Sequence, residues 1–420
     1  MTRFSVYLSK FFRLQSKAIE TIAFSAISGV FGILNMLAVI LVTRTSSAMV
    51  EKTDFLYFTL AACAFVIPII AGPVTAGLVQ YLKSRDLSFK DFESQLFSFY
   101  FSVLSGLVLL FIVLLIFAIY FSGYLPHNNW VLFLFVLFVS IIYELLRIIF
   151  QINNQFSKVL ILQSVNIFTF IASLTGMGVE DFLLFSIVLK VIVFICLVLI
   201  TISTVKNIDL LAGWESSSNF YSQNFVYSGV SFISTLSAFT PALIFNSSGA
   251  GFVTIYYASL RLSLAPVSLF VTPLIDFLRF RVYRSGLDRR AYLMIFLMLL
   301  SFSFVWICTI FVFRQDVIEI LLPGYHDKKV ASDILGVMIV LTLTQSLWVL
   351  NTRFAEVSLD INRIAFYGVF GHIAFIICAV LSISSAANYI PIARVLIDLF
   401  WFSSVGFYFI YMSNRLIKIG

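Results

Sequence analysis

Two basic side chains lie where a cation is costly. Arg261 sits inside an apolar run from Ser247 to Arg290 that also holds Pro266, Pro273 and Asp276, and Lys190 sits within another apolar run. If the first run enters a bilayer near Ala250, a rise of about 1.5 Å per residue sets Arg261 about 16 Å deep, near the middle of a hydrocarbon core about 30 Å thick. The same reckoning puts Lys190 about 14 Å deep, with no acidic neighbour at helical spacing after Asp181. A guanidinium at that depth cannot snorkel to the interface and must face a protein-lined or watery interior, at a cost of about 3 kcal/mol on insertion scales. Unpaired Arg and Lys in a low-dielectric cavity suit phosphate-type anions, Arg through its planar fork and Lys as a point charge. Arg44, at the outer end of the first apolar run, and Asn35, in its middle, are candidates to line the same cavity as substrate-binding residues.

The remaining charge inside apolar runs comes in couples. Glu144 with Arg147 and Arg394 with Asp398 stand at i,i+3 and i,i+4, where mutual neutralisation is expected. Asp276 lies a turn before Arg279. For catalysis the chain offers His127 and His326 in loops and His372 in an apolar run, none beside a nucleophile or second ligand in sequence. HExxH, GxGxxG, P-loop and nucleophile-elbow patterns do not occur, so an enzyme is not expected. Cys63, Cys196, Cys308 and Cys378 fall inside apolar runs without CxxC spacing and read as small core residues, with neither disulfide nor metal; no cofactor is implied.

The elements that must position these residues are membrane helices. The 420 residues are 61% hydrophobic and 11% charged with a mean hydropathy of +1.05, which describes an all-α polytopic membrane protein. Apolar runs between polar breaks predict twelve transmembrane helices: 19–43, 55–82, 96–122, 130–152, 158–176, 181–203, 220–246, 250–283, 291–313, 331–352, 364–386 and 391–412. Residues 1–18, with basic residues among Phe, Tyr and Leu, predict an amphipathic helix on the membrane surface rather than a cleaved signal. One alternate set of loops holds nineteen Lys and Arg and the other six, which predicts both termini on the cytoplasmic side. The net charge of +7 is spread over those short loops, so it sets topology and gives no reason to expect nucleic acid.

A repeat recurs at an offset of about 202 residues. Helix, Thr45-Ser46-Ser47 break, second helix with Pro68 and Pro73, Tyr81 and a basic loop are matched by helix, Ser247-Ser248-Gly249 break, second helix with Pro266 and Pro273, Tyr283 and a basic loop. Six spans per half give copies of the same orientation, hence two six-helix lobes, a parallel pseudo-repeat related by an axis along the membrane normal. The expected division is 19–205 and 220–420, joined by a cytoplasmic linker at 206–219. The prolines free backbone carbonyls in the second helix of each half, which suits bending.

The stretch PALIFNSSGAGFVTIYYASLRLSLAPVSLFVTPLIDFLRFRVYRS resembles the seventh-to-eighth helix signature of the polysaccharide exporters of the multidrug/oligosaccharidyl-lipid/polysaccharide superfamily, through Gly249, Gly251, Tyr256, Ala258, Arg261, Leu262 and Pro273. Leu41 to Arg44, Gly77 to Tyr81 and IEILLPGYHDKKVASDILGVM extend the likeness over nearly the whole chain in spacing more than in identity. The resemblance implies an O-antigen flippase of the Wzx type in the bacterial inner membrane, moving an undecaprenyl-diphosphate-linked oligosaccharide from the cytoplasmic to the periplasmic leaflet. It implies alternating access coupled to H+ or Na+, contact with membrane lipid, and a polysaccharide polymerase and chain-length regulator as partners. Where the family often has an acid near the end of the seventh helix this chain has Asn246, so the coupling carboxylate stays open among Glu144, Asp276 and Asp398. Two alternatives stand beside this reading. A repeat-unit polymerase would have similar hydropathy but a large external loop with Arg and His, and a multidrug antiporter of the same superfamily would favour an acidic cavity.

Overall fold

Backbone that crosses lipid must satisfy its own hydrogen bonds, so long apolar runs can only be helices. The computed structural model describes residues 27–46, 50–83, 89–120, 129–153, 155–205, 208–248, 251–271, 275, 289–323, 325, 327–355, 361–383, 386–408 and 411, and these are helical apart from turns and short connections. The predicted surface helix at 1–18, Asp276 and Lys206 lie outside the described residues.

The first half holds α1 (Ile27–Thr45), α2 (Val50–Lys83), α3 (Phe89–Tyr120), α4 (Trp130–Ile152), α5 (Phe156–Ser173) and α6 (Val179–Thr204). After α7 (Leu210–Gln223) the second half holds α8 (Phe225–Ser248), α9 (Phe252–Pro266), α10 (Arg289–Val312), α11 (Arg314–Leu321), α12 (Lys328–Met338), α13 (Leu341–Ala355), α14 (Ile361–Leu381) and α15 (Ala386–Ile397). Among the described residues, 10 helical stretches are long and apolar enough to cross a membrane, which makes the chain a multi-pass membrane protein. Its outer faces are apolar, as lipid requires: Leu109, Val113, Ile116 and Phe117 on α3 and Phe304 and Val305 on α10 are all more than half exposed.

Two features depart from the simple span pattern. The span expected at 331–352 is two helices, with a non-helical step at Ile339 and Val340. The linker expected at 206–219 is largely the helix α7, started by Asp209, whose Oδ1 accepts from the backbone N–H of Leu211 (2.9 Å) and Ala212 (3.1 Å). This helix lies flat on α3. A Cβ on Gly213 would fall 2.2 Å from the Ser98 carbonyl oxygen, so only glycine allows the approach, and the Asp209 N–H donates to Ser98 Oγ at 2.9 Å. Phe220 of α7 completes a core with Phe97, Phe99, Tyr100 and Phe150.

A second core crosses between the halves. Ala38 and Val42 of α1 and Leu56 of α2 join Phe245 of α8, Val253 of α9 and Met338 of α12, all fully or almost fully buried. Lipid tails are as apolar as these side chains, so close packing and hydrogen bonds, more than water exclusion, must hold the halves together.

Candidate functional site

A tight polar contact between the halves is at the start of α9. Gly251 precedes that helix with φ of 93°, a left-handed conformation that favours glycine, and a Cβ there would lie 2.3 Å from Cε2 of Tyr325. Gly251 has no side chain to cap the first turn, and a carboxylate from the other half does it instead. Asp54 of α2 accepts from the Gly251 N–H and, at 2.9 Å, from the Thr254 N–H, and it takes the Thr254 hydroxyl at 2.7 Å. A charged acceptor on an N-terminus gains from the helix dipole as well as from the bonds themselves. Beside it the Thr53 and Thr254 hydroxyls are 3.1 Å apart. These partners are 197 to 201 residues apart, close to the repeat offset, so they sit where the pseudo-twofold axis relating α2 to α9 must run. Tyr325 covers the contact, its phenol pushed up to about 12 by burial, with the Asp54 and Asp327 carboxylates adding to it.

Two turns further along α9 is Arg261. It borders a small cavity of about 20 Å³ whose walls come from both halves: Met36, Val39, Ile40 and Thr43 of α1 and Tyr57 of α2 on one side, Ala258 and Leu262 of α9 and Leu321 and Leu322 on the other. Among the described residues no carboxylate pairs with Arg261. Its guanidinium carbon stands 5.9 Å from the centre of the Tyr57 ring. The Tyr57 hydroxyl and Thr43 Oγ1 are 3.3 Å apart. Thr43 sends its own hydrogen to the Val39 carbonyl at 2.7 Å, so the phenol is the donor. The result is one positive charge in an otherwise largely aliphatic chamber. That combination fits an anion carried on an apolar chain better than a freely hydrated ion.

Below Arg261 the helix changes pitch. Pro266 supplies no N–H, and residues Val267–Val271 form a π-helical turn. The Ser263 carbonyl accepts from Thr342 Oγ1 at 2.6 Å. Thr342 stands just after the α12–α13 step, so two interrupted helices satisfy each other at membrane depth.

The other sequence candidates are distributed around this chamber. Lys190 projects from α6 toward α4, with its Nζ 3.4 Å from Ser140 Oγ and 5.9 Å from the Tyr143 ring centre. It does not line the Arg261 cavity, although Cys63 of α2 lies within electrostatic range of both cations. Asn35 and Arg44 are exposed and flank the cavity rather than line it. Positions 36, 39, 40 and 43 form the inward stripe of α1, and 35 and 44 fall about 100° to either side of it. Glu144 holds Arg147 through a two-pronged contact. Asp398, fully buried, accepts from Gln345 and faces Arg394 Nε at 3.4 Å. Both candidate coupling carboxylates that are described therefore carry an arginine. His372 is held between two serines of α8, with Nε2 3.0 Å from Ser234 Oγ and Nδ1 2.8 Å from Ser237 Oγ.

Asp54 and Tyr57 are the residues that sequence reasoning passed over. Asp54 carries no local signal, because its partners are almost half a chain away. The signal available was the repeat itself: Thr53-Asp54 opens the second helix of one half where Gly251 to Thr254 opens that of the other.

No family model matches the chain, and no curated protein is similar to it at a significant level. Solved structures are similar in fold. The lipid II flippase MurJ in an inward closed conformation superposes with a TM-score of 0.71 at 14% identity, over 94% of this chain and 87% of that one. An inward-facing multidrug resistance MATE transporter of the MOP superfamily gives 0.65 at 12% identity, over 96% and 99%. A Pyrococcus furiosus transporter of that superfamily, described for the reverse polarity of its binding pocket, gives 0.65 at 13% identity, over 95% and 96%. The fold is thus the two-lobed helical fold of MOP-superfamily transporters.

Proposed function

We propose that the protein is a flippase for an undecaprenyl-diphosphate-linked oligosaccharide repeat unit, an O-antigen or related glycan precursor, which it carries from the cytoplasmic to the periplasmic leaflet of a bacterial inner membrane. The observation that carries this reading is Arg261: a half-buried cation without a carboxylate partner among the described residues, in a cavity walled by both halves. The diphosphate binds the guanidinium, the prenyl chain lies along the aliphatic wall or in lipid, and the glycan follows through the space between the lobes. Lys190 reinforces the positive field from within the first half. The Asp54 contact closes one end of the lobe interface, at the face the loop charges assign to the periplasm, and must part when that end opens. Similarity of fold to a lipid II flippase supports an amphiphilic anion as cargo. The coupling ion, H+ or Na+, acts through a carboxylate among Glu144, Asp276 and Asp398, and the delivered unit passes to a polymerase under a chain-length regulator. An antiporter of cationic drugs, as the MATE likeness alone would allow, is disfavoured by the sign of the unpaired charge.

The test is the sidedness of the lipid-linked repeat unit in cells that lack the protein, read with a reagent that labels sugars only from the periplasm. Accumulation of single units closed to the reagent is the expected result. Labelled but unjoined units would identify a polymerase instead, and an unchanged glycan would leave drug export.

A further inference from the structure

We propose that Tyr57 is the positioning residue of the anion site, a face on which Arg261 rests without being neutralised. This inference builds on the flippase reading and goes one step beyond it. An arginine at membrane depth needs something to hold it, and the usual partner is a carboxylate, which would also cancel the charge a diphosphate has to find. An aromatic ring holds a guanidinium through its quadrupole and leaves the net charge in place.

The geometry assigns this role to Tyr57 by three observations. The ring centre lies 5.9 Å from the guanidinium carbon. Both side chains border the same cavity, and they come from opposite halves of the chain. The ring is itself fixed: Tyr57 is 2% exposed, and its hydroxyl is donated to Thr43 of α1. Asp54 is one helical turn away on the same helix and grips the start of α9, so the ring and the carboxylate meet α9 along one face of α2. When that face separates from α9, Arg261 loses its rest while keeping its charge, and an incoming or departing diphosphate becomes its only strong partner.

The test uses the full-length protein in detergent with geranylgeranyl diphosphate as the probe. Titration calorimetry gives the affinity, and phenylglyoxal labelling of Arg261, read by mass spectrometry, reports the guanidinium independently of any ligand. Tyr57→Phe keeps the ring and is expected to bind within about twofold of the parent, whereas Tyr57→Leu should weaken binding about tenfold and speed labelling of Arg261. Tyr57→Glu should give a folded protein that no longer binds the probe, because the new carboxylate neutralises the guanidinium. Thr43→Val, which only releases the ring, covers the case in which Tyr57→Leu does not fold, and should show a smaller change of the same sign. Equal labelling rates in the parent, Phe and Leu proteins would overturn the proposal whatever the ligand, and so would a Tyr57→Phe defect as large as that of Tyr57→Leu. If no protein, parent included, binds the diphosphate while the labelling still follows the ring, the flippase reading fails and the positioning of Arg261 by Tyr57 stands.

Discussion

Replacing Asp54 tests whether its contact with α9 keeps the lobes together. The carboxylate accepts from two backbone N–H groups and one hydroxyl, all from the opposite half. Loss of a capping side chain costs about 1 kcal/mol, and a hydrogen bond to a charged group contributes about 1.5 to 3 kcal/mol. Part of that returns when water solvates the freed groups, so about 2 kcal/mol is a reasonable net figure for Asp54→Ala, or about thirtyfold in the opening equilibrium. Asp54→Asn keeps one neutral acceptor and should fall between. The assay replaces the four native cysteines, places a single cysteine at Ala258, which is 7% exposed beside the cavity, and measures its rate with a membrane-impermeant maleimide added from the periplasmic side. Rates should rise in the order Asp54, Asn, Ala. If the Ala protein reacts at the parent rate, Asp54 is not what holds that end shut.

Four further outcomes follow from the same geometry. Arg261→Ala should abolish export at normal protein level while Arg261→Lys retains part of it, measured as surface glycan; full export by the Ala protein would remove the anion site. Cysteines at Thr53 and Thr254, whose hydroxyls are 3.1 Å apart, should form a disulfide on oxidation that stops export until a reductant is added. Gly213→Ala puts a Cβ against the Ser98 carbonyl and should cost about 1 to 3 kcal/mol, seen as a lower unfolding temperature in detergent. Asp398→Asn leaves Arg394 buried without its counter-charge and should destabilise by about 3 to 5 kcal/mol, whereas Arg394→Met made together with Asp398→Leu should recover much of that loss.

The helical, many-spanning architecture was legible in hydropathy because lipid leaves the backbone no other solution. Arg261 was legible for the same reason, since a cation stands out against an apolar run. What escaped depends on partners distant in sequence. Nothing in the apolar residues between Met338 and Leu341 announces a break, because that break is stabilised by the Thr342 hydroxyl reaching the Ser263 carbonyl of another helix. The tract after Lys206 is rich in serine and reads as a loop, yet Gly213 lets it lie against α3 as a helix. Arg44 and Asn35 flank the cavity because depth along a helix is easily read from sequence, whereas its rotation about its axis is set by packing.

The bond between α7 and α3 has a mechanical meaning. The segment joining the halves is not slack, since α7 is fastened along its length to the first half by Ser98, Phe220 and the Tyr221 hydroxyl on the Ile70 carbonyl. Only Asn224 separates α7 from α8, and it is tied on both sides, its N–H donating to the Phe220 carbonyl at 3.1 Å and its carbonyl accepting from the Ser228 N–H at 3.0 Å. Such a linkage passes load from α3 to the start of α8 instead of absorbing it.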